Sequence, residues 1–216
     1  QIQPPRAAAA MSSARLRSAR TIARLAITTP TETTSTISVA TAFTLGFRPR
    51  RAREKITSGM YHRIVVTAME WSSAAVTILP WTQIANMGDA KSVALILATY
   101  QRRQSGSTAV GDALLAAAAA IKASPRCVRH VVDISSDGTN NAGSNPKEAV
   151  AMLLGMEVYV NALVIQDEIG VIEFYEKTVS GFVMPATWQS YKQAIEAKLN
   201  LEIAGVEPTR MAFGGR

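Results

Sequence analysis

The sequence predicts an α/β fold: a doubly wound, mostly parallel sheet with helices on both faces, a Rossmann-like sandwich. Three observations carry this expectation. Apolar runs of strand length, rich in β-branched residues, alternate with helix-period segments from residue 63 onward, and that alternation builds strands joined by crossover helices. The strands read as nearly continuous apolar stretches, as in a sheet covered on both sides. The chain has 216 residues, 48% of them hydrophobic, enough to bury a sizeable core in one domain.

The first 55 residues stand apart in composition. They hold 10 Lys and Arg against Glu32 and Glu54, whereas residues 56–216 hold 13 against 14 acids. The net charge of +7 therefore belongs to the first quarter, and the main body is near neutral. "RAAAAMSSARLRSARTIARLA" has no acid and no continuous apolar h-region of a secretory signal. "ITTPTETTSTISVATAFTLGF" has the β-branched residues for a strand or two, and "RPRRAREK" (48–55) is a basic cluster that reads as a solvated surface or tail. We expect 1–55 to be an irregular basic segment, disordered or translated out of frame, 56–205 to be the folded domain and 206–216 a C-terminal tail.

The remaining elements follow in order. "RIVVTAMEWS" (63–72) is an apolar strand, and "AAVTILPW" (74–81) pairs with it as a hairpin ended by Pro80. "DAKSVALILATYQRR" (89–103) has Val93, Leu97 and Tyr100 at helical spacing, with Asp89 as N-cap. "TAVGDALLAAAAAIKASP" (108–125) is a helix stopped by Pro125, and "CVRHVVDIS" (127–135) is a strand. "NPKEAVAMLLGM" (145–156) opens on Asn145 as cap, Pro146 at the first helical position and Glu148 placed for a capping box. "EVYVNALVI" (157–165) is a strand, "DEIGVIEFYEKTVSG" (167–181) a helix and "FVMPAT" (182–187) a short strand. The last helix, 187–205, is capped by Thr187, with Trp188, Tyr191, Ile195 and Leu199 on its apolar face. Trp71, Trp81 and Trp188 read as core or sheet-covering aromatics.

Enzyme motifs are missing: no Gly-x-Ser-x-Gly elbow, P-loop or Gly-x-Gly-x-x-Gly occurs. His62 and His130 are the only histidines and lie in no metal-ligand spacing. His130, Asp133 and Ser135 share one strand, so His130 and Asp133 point to opposite faces and form no triad. Cys127 is the single cysteine, which excludes an intramolecular disulfide and Cys-based zinc sites. No apolar run is long enough to span a bilayer. Asp133 and Glu70, in apolar strands, are either strand-edge groups or buried and hydrogen-bonded.

In an open parallel sheet, ligands bind beyond the carboxyl ends of the strands. Two loops reach that edge with useful groups: "SGSTAVGD" (105–112) and "SSDGTNN" (135–141). Thr108 offers a hydroxyl and Asp137 a carboxylate, oxygen ligands suited to Mg²⁺ or Mn²⁺. Ser107, Ser136, Gly138 and Asn140 are the candidate binding positions around them.

The order "EWSSAAVTILPWTQI", "SGSTAVGDALLAAA", "RHVVDISSDGTNNAG", "VNALVI", "FYEKTVSG" and "YKQAIEAKLNLEIAG" resembles a bacterial family with a von Willebrand factor A-like (VWA) domain, DUF1194, over residues 56–205. The resemblance implies the VWA fold and a secreted or periplasmic setting. Domains of this fold often carry a metal-ion-dependent adhesion site built from three loops: Asp-x-Ser-x-Ser, then a Thr, then an Asp. Thr108 matches the second loop and Asp137 the third. Residues 1–88 contain no aspartate, and the nearest imitation of the first loop is "ETTST", with Glu32, Thr34 and Thr36 in the ligand positions. We therefore expect a frameshifted or degenerate N-terminal region, a cation that is weak or absent in this chain, and a non-catalytic role binding a protein partner at the strand-end face. The competing expectations are a metal-dependent hydrolase using Asp137, and nucleic-acid binding through Arg48–Lys55, which would show as steep salt dependence.

Overall fold

The computed structural model describes the backbone of residues 39–47 and residues 64–165 and 169–204. Its elements are β1 (Val39–Phe47), β2 (Ile64–Trp71), β3 (Ala75–Ile84), α1 (Met87–Thr99), α2 (Val110–Lys122), β4 (Cys127–Ser136), α3 (Pro146–Gly155), β5 (Val158–Ile165), α4 (Val171–Glu176), β6 (Val183–Ala186) and α5 (Tyr191–Ala204). They form one six-stranded sheet in the order β3-β2-β1-β4-β5-β6.

The sheet is mixed. β4, β5 and β6 pair in parallel. β1 runs antiparallel to both of its neighbours, and β3 antiparallel to β2. β2 consequently points the same way as β4, β5 and β6, so four strands end at one edge and β1 enters there, Val39 lying opposite Glu70. The strand 39–47 falls inside the stretch expected to be irregular.

Alternation along the strands divides the core in two. Met69 and Trp71 of β2, Val132 and Ile134 of β4, and Val158, Val160, Ala162 and Val164 of β5 face one way. They pack against Leu114, Ala117 and Ile121 of α2, Leu153 of α3 and Tyr175 of α4. Ile64, Val66 and Ala68 of β2 face the other way, against Val93 of α1 and Leu199 of α5. The doubly wound sandwich is thus as the sequence predicts, with helices on both faces.

Several local expectations are corrected. Pro80 does not end its strand: β3 continues to Ile84, and the register slips by one residue between the pairs Val66–Thr82 and Ala68–Leu79. An edge strand tolerates a residue without an N–H, and a bulge absorbs it. The cap of α1 is Asn86, whose side chain accepts from Gly88 and Asp89 N–H, while Asp89 returns a bond to the cap backbone. Asp89 is thus the third residue of a capping box, not its cap. On α3 the Asn145 oxygen accepts from Lys147 N at 3.0 Å as expected, but Glu148 takes the Asn145 side-chain amide. Of the described residues 169–181, only 171–176 are helical, and α5 begins at Tyr191. Trp188 is 43% exposed, its ring 6.4 Å from that of Tyr191, so it is not a core residue, whereas Trp71 is buried and Trp81 donates to Ala120 O at 3.0 Å.

Leu114 is fully buried between α2 and the sheet, and Leu95 of α1 is 60% exposed. Leu114→Ala should lower stability by about 2–5 kcal/mol. Leu95→Ala should stay within about 0.5 kcal/mol of the parent. Denaturant midpoints of the two variants check both.

Candidate functional site

The edge where β2 and β4 end gathers three loops: 72–74, 100–109 and 137–145. What shapes them is a set of side chains that meet backbone groups across the loops. Glu70, at the end of β2, is buried. Its carboxylate accepts from Tyr100 Oη at 2.7 Å, from Arg103 N at 3.0 Å and from Gln104 N at 3.0 Å. Arg102 Nε lies 4.0 Å away. The charge is therefore spent holding the chain that leaves α1, and Glu70 is a structural anchor. Its hydrogen bond to Tyr100, burial and its charge together raise the Tyr100 pKa.

Beyond that anchor, Gly106 takes φ of 124°, and a β-carbon there would strike Ser73 Oγ at 2.5 Å, a position only glycine fills. Ser73 Oγ accepts from Ser107 N at 2.9 Å, Ser72 Oγ donates to Ser105 O at 3.0 Å, and Ala109 N donates to Ser72 O at 3.0 Å. The loop before α2 is thus tied to the end of β2.

The same loop is zipped to the one after β4. Thr108 N donates to Asn141 Oδ1 at 2.8 Å, and Asn141 N returns a bond to Thr108 O at 3.0 Å. Gly111 N donates to Asn140 Oδ1 at 3.3 Å. Asp112 Oδ1 accepts from Ser144 N at 2.9 Å. Hydrogen bonds from Ser144 hold the Asp112 carboxyl below its ordinary value. Gly111 is required by proximity: a β-carbon would lie 2.0 Å from Ser144 O. Under the loop, Ser136 Oγ both accepts from Gly138 N and donates to Gly138 O, and Tyr175 Oη donates to Gly138 O at 3.2 Å. Burial, with the Asp137 charge nearby, keeps the Tyr175 phenol neutral.

These ties bring the sequence-predicted residues Thr108 and Gly138 together: a β-carbon on Gly138 would lie 3.4 Å from the Thr108 hydroxyl, next to Asp137. Ser107, Ser136 and Asn140 sit in the same loops with their roles defined by the bonds above. Glu32, Thr34 and Thr36 lie outside the described residues, as do Arg48–Lys55 and His62. Asp112, Asn141 and Tyr175 were not singled out in the sequence. The visible signal was only that polar residues close both quoted loops, "GD" and "NN".

A divalent cation of the Mg²⁺ or Ca²⁺ kind takes six or more oxygen ligands. Here the Ser136, Asn140 and Asn141 oxygens already accept backbone N–H groups. Among the candidate positions, Ser107 and Thr108 add hydroxyls and Asp137 one carboxylate, fewer oxygens than such a cation takes. Among the described residues, no three His, Cys, Asp or Glu side chains gather as a metal site. The described donor set does not by itself fit a resident cation.

On the other face, Asp133 and Asn161 are register neighbours on β4 and β5, buried under Lys198 and Glu202 of α5. Asp133 is thus an interior ion-pair residue, and His130, two residues from Val132, belongs to the opposite face. No described helix is long and apolar enough to cross a membrane.

A doubly wound sheet in this strand order, with Thr and Asp loops meeting at its carboxyl edge, is a VWA-like α/β domain. The chain belongs to the family described as "Protein of unknown function (DUF1194)", whose model matches residues 40–207. No curated protein sequence matches it. Two solved structures share the fold. Proximal thread matrix protein 1 from the mussel byssus aligns with a TM-score of 0.52 at 17% identity, covering 62% of this chain and 35% of that one. The same protein with a zinc-occupied MIDAS motif aligns with a TM-score of 0.52 at 20% identity, covering 63% and 35%. The chain thus spans about a third of the length of that matrix protein.

Asp112 makes the zip testable. Its folded value is depressed, so its contribution is present above the unfolded value of about 3.9 and is lost as pH falls through the folded one. Asp112→Asn should cost about 1 kcal/mol at neutral pH. The gap to the parent should close as pH drops below about 4, as read by chemical denaturation at a series of pH values.

Proposed function

We propose that this chain is a non-catalytic binding domain that receives a protein partner on the carboxyl edge of its sheet, without relying on a resident cation. The observation that carries this reading is the approach of the Thr108 hydroxyl to the Gly138 backbone beside Asp137, where an added β-carbon would lie 3.4 Å away, held by the reciprocal Thr108–Asn141 bonds. It lies at the edge where open α/β sheets take ligands. A hydroxyl and a carboxylate on a braced backbone are recognition groups: they fix a partner's donors in place at little ordering cost. In relatives with a complete first loop, a divalent cation would join them at this edge. In this chain cation binding is weak or absent, because the described donors are too few. The reading takes with it the secreted or periplasmic setting that the family resemblance implies.

Two measurements test it. Titration calorimetry with Mg²⁺ and with Mn²⁺ should give flat traces for the parent and for Asp137→Ala. Saturable binding by the parent that disappears in the variant would overturn the cation-free reading. For any partner recovered, Thr108→Ala and Asp137→Ala should each weaken binding by about fivefold or more, ~1 kcal/mol. Lys122→Ala, at the opposite end of α2, should leave affinity unchanged. Insensitivity to both edge variants would remove the edge as the binding face.

A further inference from the structure

The sheet face under α1 and α5 holds an ionic cluster that the edge site does not use. Lys198 is 0% exposed. Its Nζ pairs with Asp133 Oδ1 and lies 2.6 Å from Glu202 Oε1. It also sits 5.2 Å from the centroid of the Phe182 ring. Asn161 bridges the cluster to the sheet, donating to Glu202 Oε1 at 2.7 Å and accepting from Phe182 N at 3.1 Å. Tyr191 and Ser135 hydrogen-bond at its upper end. Arg129 reaches the rim and donates to the Glu202 main-chain carbonyl at 3.3 Å.

One buried ammonium faces two buried carboxylates, with Asp133 and Glu202 side chains 5% and 2% exposed. Fully ionised, the three side chains carry a net charge of −1 into a medium where buried charge costs several kcal/mol, and the Arg129 cation stands only at the rim. Glu202 Oε2 is buried with no hydrogen-bond partner among the described residues, which adds to the penalty. A single proton on one of the two carboxylates removes the imbalance. Among the described residues no comparable ionic cluster fastens α2 or α3, whose buried contacts to the sheet are apolar.

We propose that Asp133, Lys198 and Glu202 form a proton-dependent latch: with one carboxylate protonated the cluster is neutral and α5 is fastened to the sheet, and loss of that proton loosens α5. The surrounding chemistry agrees. Burial first, and Glu202 third after the opposing pull of Lys198, push the Asp133 pKa up to about 7. The two carboxylates raise Lys198, which stays charged, and burial lifts Tyr191 to about 12. Asp133 is therefore the group facing this cluster that changes charge near neutrality. Its docked value lies above the unfolded one, so the docked state binds the extra proton. Docking is strongest at low pH and weakens as pH rises through about 7.

Hydrogen exchange of the intact chain at pH 6, 7 and 8 tests the latch, with the α5 amides read relative to the α2 amides of the same molecule. In the parent, relative protection of α5 should fall about tenfold from pH 6 to pH 8, because over the pH unit below its pKa the docked state holds a proton that the loosened state has already lost, and the dependence levels off above it. Asp133→Asn, neutral at every pH, should abolish the fall, and Glu202→Gln provides the same neutralisation from the helix side. A parent profile that is flat over this range overturns the latch, as does an equal fall in the two neutralised variants. The parent profile decides the matter even where a variant fails to fold.

Discussion

A sheet covered on both faces leaves its polar side chains no water to turn to, so each must find a partner inside the protein. In this domain that constraint determines more than stability. Glu70 lies at the last turn of a buried strand, and its two carboxylate oxygens are met by one phenol and two main-chain N–H groups from residues 100–104. Those bonds fix where the chain leaves α1. From there the path through Gly106 to Thr108 is short, and its next ties are to Ser72 and Ser73, two and three residues after Glu70. The position of Thr108 at the sheet edge thus depends on a carboxylate that takes no part in the edge itself.

The two faces meet the constraint differently. Under α2, α3 and α4 the buried strand residues are apolar, Val, Ile and Ala with Met69 and Trp71, and they hold those helices by packing, joined by the Trp81–Ala120 hydrogen bond. Under α5 the strands present Asp133, Ser135 and Asn161, and a lysine and a glutamate must be buried to answer them. Apolar packing holds its partner by volume and is indifferent to pH. An ionic cluster holds its partner by charge balance, and it is sensitive to a single proton. The domain therefore has one face that is permanent and one whose attachment responds to its surroundings.

How much of this was legible follows from which interactions are local. Strand and helix alternation from residue 63, the Asn145–Pro146 helix start and the loops bearing Thr108 and Asp137 all rest on near neighbours, and all appear in the structure. Pairings across the sheet were not legible. Asp133 was recognisable as an oddity in an apolar strand, but its partner lies 65 residues on. Lys198 and Glu202 share the stripe of Tyr191 and Ile195 at helical spacing, so the face they occupy was readable. That the stripe lands on Asp133 and Asn161 was not, because periodicity assigns a residue to a face and never to a partner. Pro80 misled for the opposite reason: a local rule about strands gave way to the tolerance of an edge.

The direction of β1 was equally hidden, since composition carries no sign of parallel or antiparallel pairing. It has a consequence for the edge. Because β1 runs against both β2 and β4, its first residue, Val39, stands opposite Glu70 at the carboxyl edge, and its last pairs at the far end, Phe47 opposite Cys127. The end of β1 therefore lies away from Thr108 and Asp137, and the loops 72–74, 100–109 and 137–145 reach this edge from β2, α1 and β4.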